Sequence, residues 1–258
     1  MLSLDEIEKF YGDKERSFKR NILREYFQYR LLEMIFNSPS ASKMSFLGGT
    51  ALRIIHGNPR FSEDLDFDNF SLSADEFAEL GPLVEKKFRA EGYEAEFRNV
   101  FKQTYRCYIK IPRVLFENGV SPLSNEKLMI QIDTQPHGFQ YKRESVVLNK
   151  FGIITEIFVT PIDILLSQKI RAAMERKRPQ GRDFFDIVFL LSRTKPNYDY
   201  LREKMGIKDK ADLKKRLLDR ASTLDFDALA ADVGPFLYEG GDADRIRLFP
   251  KYIDQVEL

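Results

Sequence analysis

The stretch Phe46-Leu47-Gly48-Gly49-Thr50-Ala51-Leu52-Arg53, followed after residues 54–59 by Arg60-Phe61-Ser62-Glu63-Asp64-Leu65-Asp66-Phe67, decides how this chain is read. A short apolar run from Met44 to Leu47 leads into the glycine pair. Thr50 is placed to cap a helix through Ala51, Leu52, Ile54 and Ile55, which Gly57-Asn58-Pro59 ends. Strand, glycine turn and capped helix open an α/β unit. From Phe61 to Phe70 the period is two: Phe61, Glu63, Leu65 and Phe67 point one way, and Ser62, Asp64, Asp66 and Asp68 the other.

Carboxylates two residues apart on a strand project from one face, roughly 6.6–7 Å apart along the backbone. They can converge on divalent ions, which in two-metal sites lie about 3.5–4 Å apart. Without a cation, like charges on one face repel and shift each other's titration. Magnesium suits such hard oxygen ligands and takes its remaining ligands from water or substrate phosphate. Ile130-Gln131-Ile132-Asp133 offers a third carboxylate at the end of a further strand. The plain alternative is a surface strand that alternates acidic and apolar residues, and Asp68 is assigned to a solvated or turn position. A calcium loop counted from Asp64 fails, because Asn69 stands where glycine is required and Asp75 where glutamate belongs. The glycine pair precedes a helix N-terminus, whose free N–H groups and positive dipole end make an anion site. A tight structural turn is the competing explanation. No Gly-x-x-x-x-Gly-Lys-[ST] or Gly-x-Gly-x-x-Gly pattern is present, so phosphate-loop and dinucleotide-fold readings have no support.

Composition narrows the chemistry further. In 258 residues, 41 basic side chains meet 40 acidic ones for a net charge of +1, which excludes a globally basic coat but not a local patch. The 22 Phe and 11 Tyr supply a large core. A single cysteine, Cys107, rules out a disulfide framework and a cysteine zinc site, and two histidines, His56 and His137, leave little else. Any metal must be held by oxygen. No segment approaches the ~18 apolar residues of a membrane span. The acidic, amphipathic start differs from a secretory signal, so the expected compartment is the cytoplasm.

Outward from the motif, Glu15 to Phe36 has helical periodicity and Asn37-Ser38-Pro39-Ser40 stops it. Ser73 to Ala90 reads as helix, Glu94 to Ile111 as antiparallel strands, and Leu128 to Asp133 and Phe151 to Val159 as further strands. After Thr160-Pro161 the chain is helical almost throughout, Pro suiting a first helical position. The expected fold is a mixed α/β core with a helical C-terminal half: N-terminal helices over 1–43, the core over 44–159 and a helical domain over 160–258. Between Lys169 and Arg182 lie six basic residues against one acid, Glu175. Such a cluster can bind a triphosphate or a nucleic-acid backbone, or can be a solvated helix end. Asp183 and Asp186 fall in the first turn of the following helix, where capping alone accounts for an acid. His56 is read as a helix-end or packed histidine, His137 as a loop residue and Cys107 as a buried thiol.

Glycine turn, short helix, Asp-x-Asp strand and a later acid together resemble the nucleotidyltransferase superfold. More narrowly, the two stretches quoted first, with Lys169 in a helix and Arg182-Asp183-Phe184-Phe185-Asp186-Ile187 at the start of the next, are similar to the AbiEii/AbiGii toxin family of nucleotidyltransferases. The resemblance spans roughly residues 44 to 191. It implies that Asp64 and Asp66, with Asp133 as third ligand, bind two Mg²⁺ ions together with an NTP. It places Gly48, Gly49, Thr50, Arg60 and Ser62 at the nucleotide, with Arg53 as a further phosphate contact; for Arg60 the alternative is that it staples the strand to the core. Lys169 would neutralise the leaving pyrophosphate, and Asp183 would hold the lysine or the nucleotide. The implied function is transfer of an NMP to an acceptor, the 3′ end of tRNA first among them, by the toxin of a pair with a cognate antitoxin. Three alternatives stay open: a catalytically silent nucleotide- or RNA-binding module, transfer to protein or small-molecule hydroxyls, and an Asp-x-Asp sugar transferase. The last gives no reason for the glycine-led helix.

Overall fold

A computed structural model describes residues 2–136 and 138–258. His137 lies outside the described residues. The chain forms two compact units, Met1–Ile55 with Phe61–Thr160, and His56–Arg60 with Pro161–Leu258. Among the described residues no helix is long and apolar enough to cross a membrane.

The first unit begins with helices α1 (Leu4–Glu8), α2 (Asp13–Arg16) and α3 (Lys19–Phe36). The sequence predicts one helix from Glu15 to Phe36, but the chain breaks it at Phe18, whose φ −92° and ψ 51° are not helical. The Phe18 ring turns aside onto Phe61, with centroids 5.7 Å apart. Then follow β1 (Met44–Leu47), α4 (Gly48–His56), β2 (Leu65–Asn69), α5 (Ala74–Ala78), α6 (Leu80–Ala90), β3 (Glu96–Phe101), β4 (Tyr105–Ile111), α7 (Val114–Glu117), β5 (Leu128–Pro136), β6 (Glu144–Lys150) and β7 (Ile153–Val159). The expected Ser73–Ala90 helix is two helices. Ser73 and Glu76 form a capping box for α5, and Pro82, which has no N–H to continue the ladder of α5, sits in the first turn of α6.

Among the described residues, seven strands form one mixed sheet in the order β3-β4-β5-β2-β1-β7-β6. β2 runs antiparallel to β1 and parallel to β5, which places it at the centre. One face is apolar, with Phe46, Leu65, Phe67, Cys107, Ile109, Ile130, Ile132 and Ile157 all buried. Helix α3 packs against β5 and β7, and α6 against β3. Burial pushes the Cys107 thiol up to about 12, as befits a structural sulfur.

Strand β6 is not legible in the sequence, which extends a strand through Phe151 instead. Phe151 (φ 60°) and Gly152 (φ 75°) form the two-residue turn joining β6 to β7. Phenylalanine tolerates the left-handed region poorly. Here its ring is enclosed by Phe10, Tyr26 and Tyr29 at 4.9–5.4 Å, so the aromatic cluster offsets the backbone cost.

The second unit is helical: α8 (Ile162–Glu175), α9 (Gly181–Leu191), α10 (Tyr198–Met205), α11 (Lys210–Ala221), α12 (Phe226–Val233), α13 (Asp244–Arg247) and α14 (Phe249–Gln255). Phe184, Phe226 and Phe249 pack ring against ring at 5.0–5.6 Å. Gly181 opens α9 in contact with α12, where an added Cβ would lie 1.8 Å from the Leu229 carbonyl oxygen. Its N–H donates to Asp232 at 3.0 Å.

Candidate active site

In the sheet unit, β1 ends at Leu47 and the chain turns into α4 at Gly48, with φ +79°. Only glycine holds that backbone without strain. It also leaves room for a neighbour: an added Cβ at Gly48 would lie 2.3 Å from Asp66 Oδ2. The Asp66 carboxylate therefore lies over the first residue of α4, where free N–H groups and the positive dipole end favour an anion. Asp64 stands two residues earlier, at the entry to β2. Both are half-exposed, whereas Leu65 between them is fully buried.

Thr50 is not the helix cap, because α4 already begins at Gly48. Its fully buried hydroxyl donates to the backbone carbonyl of Asp64. Thr50, expected at the nucleotide, thus fixes the backbone that carries the first carboxylate. A second clamp comes from α3, where the Gln28 amide donates to the carbonyls of Ser62 (3.1 Å) and Glu63 (2.9 Å). Ser62 itself is half-exposed, and the regular strand starts only at Leu65, so the expected alternation from Phe61 is extended chain for its first four residues.

Arg53, expected as a phosphate contact, is engaged by acids of its own unit. Its guanidinium donates to Glu25 (2.9 Å) and Glu15 (2.5 Å) and covers the Phe61 ring. Burial alone would raise the Glu25 carboxyl, but Arg53 and Lys150 outweigh it and hold it low. This ion cluster ties α4 to α2, α3 and β6.

Asp133 stands where the third acid was expected, directly opposite Asp66 in the parallel β2–β5 register. Its carboxylate is nevertheless taken. Arg106 Nε donates to Oδ1 at 2.8 Å and Nη2 to Oδ2 at 2.9 Å, and the Gln131 amide adds a bond at 2.9 Å. Among the described residues no group of three or more acidic, histidine or cysteine side chains is arranged to hold a metal. In this structure Asp133, expected as the third metal ligand, is the partner of an arginine.

Asp68 also departs from the reading as a solvated residue. It is 2% exposed and accepts a hydrogen bond from Tyr141 at 2.6 Å. The Tyr141 hydroxyl lies 2.8 Å from Thr160 Oγ1, which lies 3.2 Å from Ser45 Oγ. Burial, then the Asp68 charge, pushes the Tyr141 hydroxyl well above its ordinary range. Strand alternation alone puts Asp68 beside Asp66; nothing in the sequence signals Tyr141.

In the helical unit, Arg60, expected at the nucleotide, is 1% exposed. Its Nε and Nη2 donate to both oxygens of Asp186 at 2.7 and 2.6 Å, and the Asn58 amide adds a bond at 2.8 Å. Lys169 Nζ approaches Asp186 Oδ2 at 2.8 Å and Asp183 Oδ1 at 3.3 Å. Arg176 Nε is 3.2 Å from Asp183 Oδ2 but not aligned for a hydrogen bond. Burial would raise the Asp186 carboxyl, but Arg60 and then Lys169 outweigh it and hold it at about 2. Of the two sequence readings of Arg60, a phosphate contact or a residue held in the core, its burial and its bonds to Asp186 agree with the second. His56, at the end of α4, belongs to this unit, and its imidazole is held below its ordinary range by burial and by Arg193.

The chain is similar to the solved structure of JHP933 from Helicobacter pylori, at 18% identity and a TM-score of 0.55 with 91% of each chain covered. It is similar as well to a second H. pylori protein, named for a proposed nucleotidyltransferase activity, at 19% identity and a TM-score of 0.52. That match covers 93% of this chain and 98% of the other. At such identities the likeness speaks for the fold alone. A comparison with curated proteins gave no match. The family model described as the nucleotidyl transferase AbiEii toxin of type IV toxin–antitoxin systems matches residues 30–247, which takes in both the Asp64–Asp66 site and the Lys169–Asp186 cluster. The chain belongs to the AbiEii family of nucleotidyl transferase toxins.

Proposed function

We propose that this toxin transfers a nucleoside monophosphate from an NTP to the 3′ end of an RNA, tRNA being the acceptor, with Mg²⁺ held by Asp64 and Asp66. The observation that carries the reading is the Asp66 carboxylate lying over Gly48 at the start of α4, with Asp64 two residues away. Two half-exposed carboxylates beside a helix N-terminus suit a hard divalent ion that draws its other ligands from water and phosphate. Held by Asp64 and Asp66, a divalent ion would supply positive charge to neutralise the negative charge developing in the displacement. The Gly48-Gly49 backbone offers N–H groups to the triphosphate, and Ser62 adds a hydroxyl beside the acids. Thr50 and Gln28 hold the peptide units around Asp64, so the carboxylates meet the substrate already oriented. In the transfer, the acceptor oxygen bonds to the α-phosphorus, the bond to pyrophosphate breaks, and the hydroxyl proton passes to solvent.

The test is incubation of the protein with Mg²⁺, each of the four α-labelled NTPs and total tRNA. Label on tRNA that is lost in Asp64→Ala is the expected result. Label on protein alone keeps the transferase and discards the RNA acceptor. The Arg106–Asp133 pair favours a second reading, a nucleotide-binding module without catalysis, because it neutralises the acid opposite Asp66. NTP binding without transfer to any acceptor is what that reading predicts.

A further inference from the structure

We infer that the open face of β4 and its neighbours β3 and β5 is the surface on which the acceptor RNA lies, as a single strand stacked on Tyr108 with Arg98 and Lys110 at its phosphates. The inference rests on the transferase reading for its purpose, but not for its test. Residues directly opposite in register share a face of the sheet. Asp66 is opposite Asp133, Asp133 is opposite Arg106, Gln131 is opposite Tyr108, and Tyr108 is opposite Arg98. A row of side chains thus leads from the proposed catalytic acids outward across β5 to β4 and β3. Strands are about 4.8 Å apart, so Tyr108 stands about 10 Å across the sheet from the Asp66 strand. The alternate residues of β4, Cys107 and Ile109, are buried in the apolar core. Arg106, Tyr108 and Lys110 therefore occupy the opposite face.

Charge on this face is not balanced. Arg106 spends two nitrogens on Asp133 and keeps its guanidinium 6.0 Å from the Tyr108 ring centroid. Lys110 is opposite Glu96, the natural partner for it, but Glu96 is held by Lys127 at 2.5 Å. Arg98 and Lys110 are exposed, and among the described residues neither has an ion-pair or hydrogen-bond partner. Two uncompensated cations thus flank a half-exposed aromatic ring on a flat sheet. A single-stranded nucleic acid uses both parts, cations for its backbone and a ring for a base. An acidic peptide would use only the cations.

The experiment uses the full-length protein and a short, mixed-sequence, fluorophore-labelled single-stranded RNA, with anisotropy read at several salt concentrations. The variants are Tyr108→Ala, Tyr108→Phe and the double charge reversal Arg98→Glu with Lys110→Glu, each checked by circular dichroism for folding. Loss of one stacked base is expected to weaken binding by about tenfold in Tyr108→Ala, while Tyr108→Phe binds within about twofold of the parent. Removing two phosphate contacts should lower the slope of log affinity against log salt by roughly 1.4. The inference is overturned if the parent protein binds no RNA, if all variants bind as the parent does, if Tyr108→Phe falls as far as Tyr108→Ala, or if polyglutamate competes as well as RNA. Transfer is scored separately. RNA binding through this face without nucleotide transfer leaves the inference standing and removes the transferase reading. Labelling of RNA with an unchanged RNA KM in every variant does the reverse.

Discussion

Asp66 in the sheet unit and Asp186 in the helical unit are the same side chain in opposite settings. Asp186 is fully buried, and its two oxygens accept from Arg60, Asn58 and Lys169. Every part of its charge is answered from within its own unit, which leaves nothing to offer a substrate. Asp66 is half-exposed at a helix start, in space that only a glycine leaves open, with Asp64 beside it. Family membership covers both residues and does not tell them apart. Burial does: an acid enclosed by cations holds a fold together, and a half-exposed acid is accessible to a ligand.

The sharpest way to break this comparison is to neutralise each acid in turn. Asp186→Asn leaves Arg60 buried with its charge unanswered, so unfolding stability is expected to fall by about 3–5 kcal/mol. Asp66→Asn should leave stability within about 1 kcal/mol and lower transfer by about 10²- to 10³-fold. Urea unfolding of both variants, with transfer assayed on the folded fraction, reads the two effects apart. If Asp186→Asn unfolds no more easily than Asp66→Asn, the distinction drawn from burial is wrong.

Two glycines sharpen the same contrast. Both lack room for a Cβ, but Gly48 meets the end of a side chain, Asp66 Oδ2, and Gly181 meets backbone, the Leu229 carbonyl. A carboxylate can swing away and a packed helix cannot. Gly181→Ala is expected to cost about 3 kcal/mol of stability through overpacking. Gly48→Ala should cost about 1–2 kcal/mol, from its left-handed backbone, while transfer falls further because Asp66 is displaced. Thermal and chemical unfolding of each, beside the transfer assay, decides this. Equal loss of activity per unit of lost stability in both would remove the special place given to Gly48.

How far the sequence carried these distinctions differs by residue. The core of the fold was open to it, because Met44–Leu47, the glycine pair and the Asp-x-Asp strand are local patterns, and local patterns report local structure. The sequence puts Asp133 at the end of a neighbouring strand; the register that sets it opposite Asp66 comes from the structure, where the strand runs on to Pro136. What escaped was identity of partner. Arg106 and Asp133 are 27 residues apart, and Arg60 and Asp186 126 apart. No periodicity links such pairs, so neither the Arg106 partner of Asp133 nor the Asp186 partner of Arg60 is legible in the sequence. Phe151 was misread for a related reason. Its turn conformation is held by the Phe10 ring, which follows α1, and by Tyr26 and Tyr29 of α3, and its own propensity argues for strand.

Acid titration probes the buried cluster without a mutation. The Asp186 carboxyl is held at about 2 in the folded chain, below its ordinary value near 3.9. Its contribution is therefore complete above pH ~4 and is lost as pH falls through about 2, a change of about 2 kcal/mol. Urea midpoints from pH 5 down to pH 2 should fall in the parent and fall less in Asp186→Asn. Identical pH dependence in the two would mean that other carboxylates govern acid stability.

Thr50 carries the smallest effect and the finest distinction. Its hydroxyl donates to the Asp64 carbonyl from a fully buried position. Thr50→Val keeps the shape and removes the donor, so the carbonyl loses its partner at a cost of about 1–2 kcal/mol. Transfer should then drop through kcat, because the peptide unit that carries a proposed metal-binding acid is no longer fixed, and Thr50→Ser should recover most of both losses. A direct nucleotide contact would behave otherwise: Thr50→Val would raise the KM for NTP and leave stability where it was. Measuring unfolding, kcat and KM on the same three proteins therefore separates a residue that touches the substrate from one that holds the residue that does.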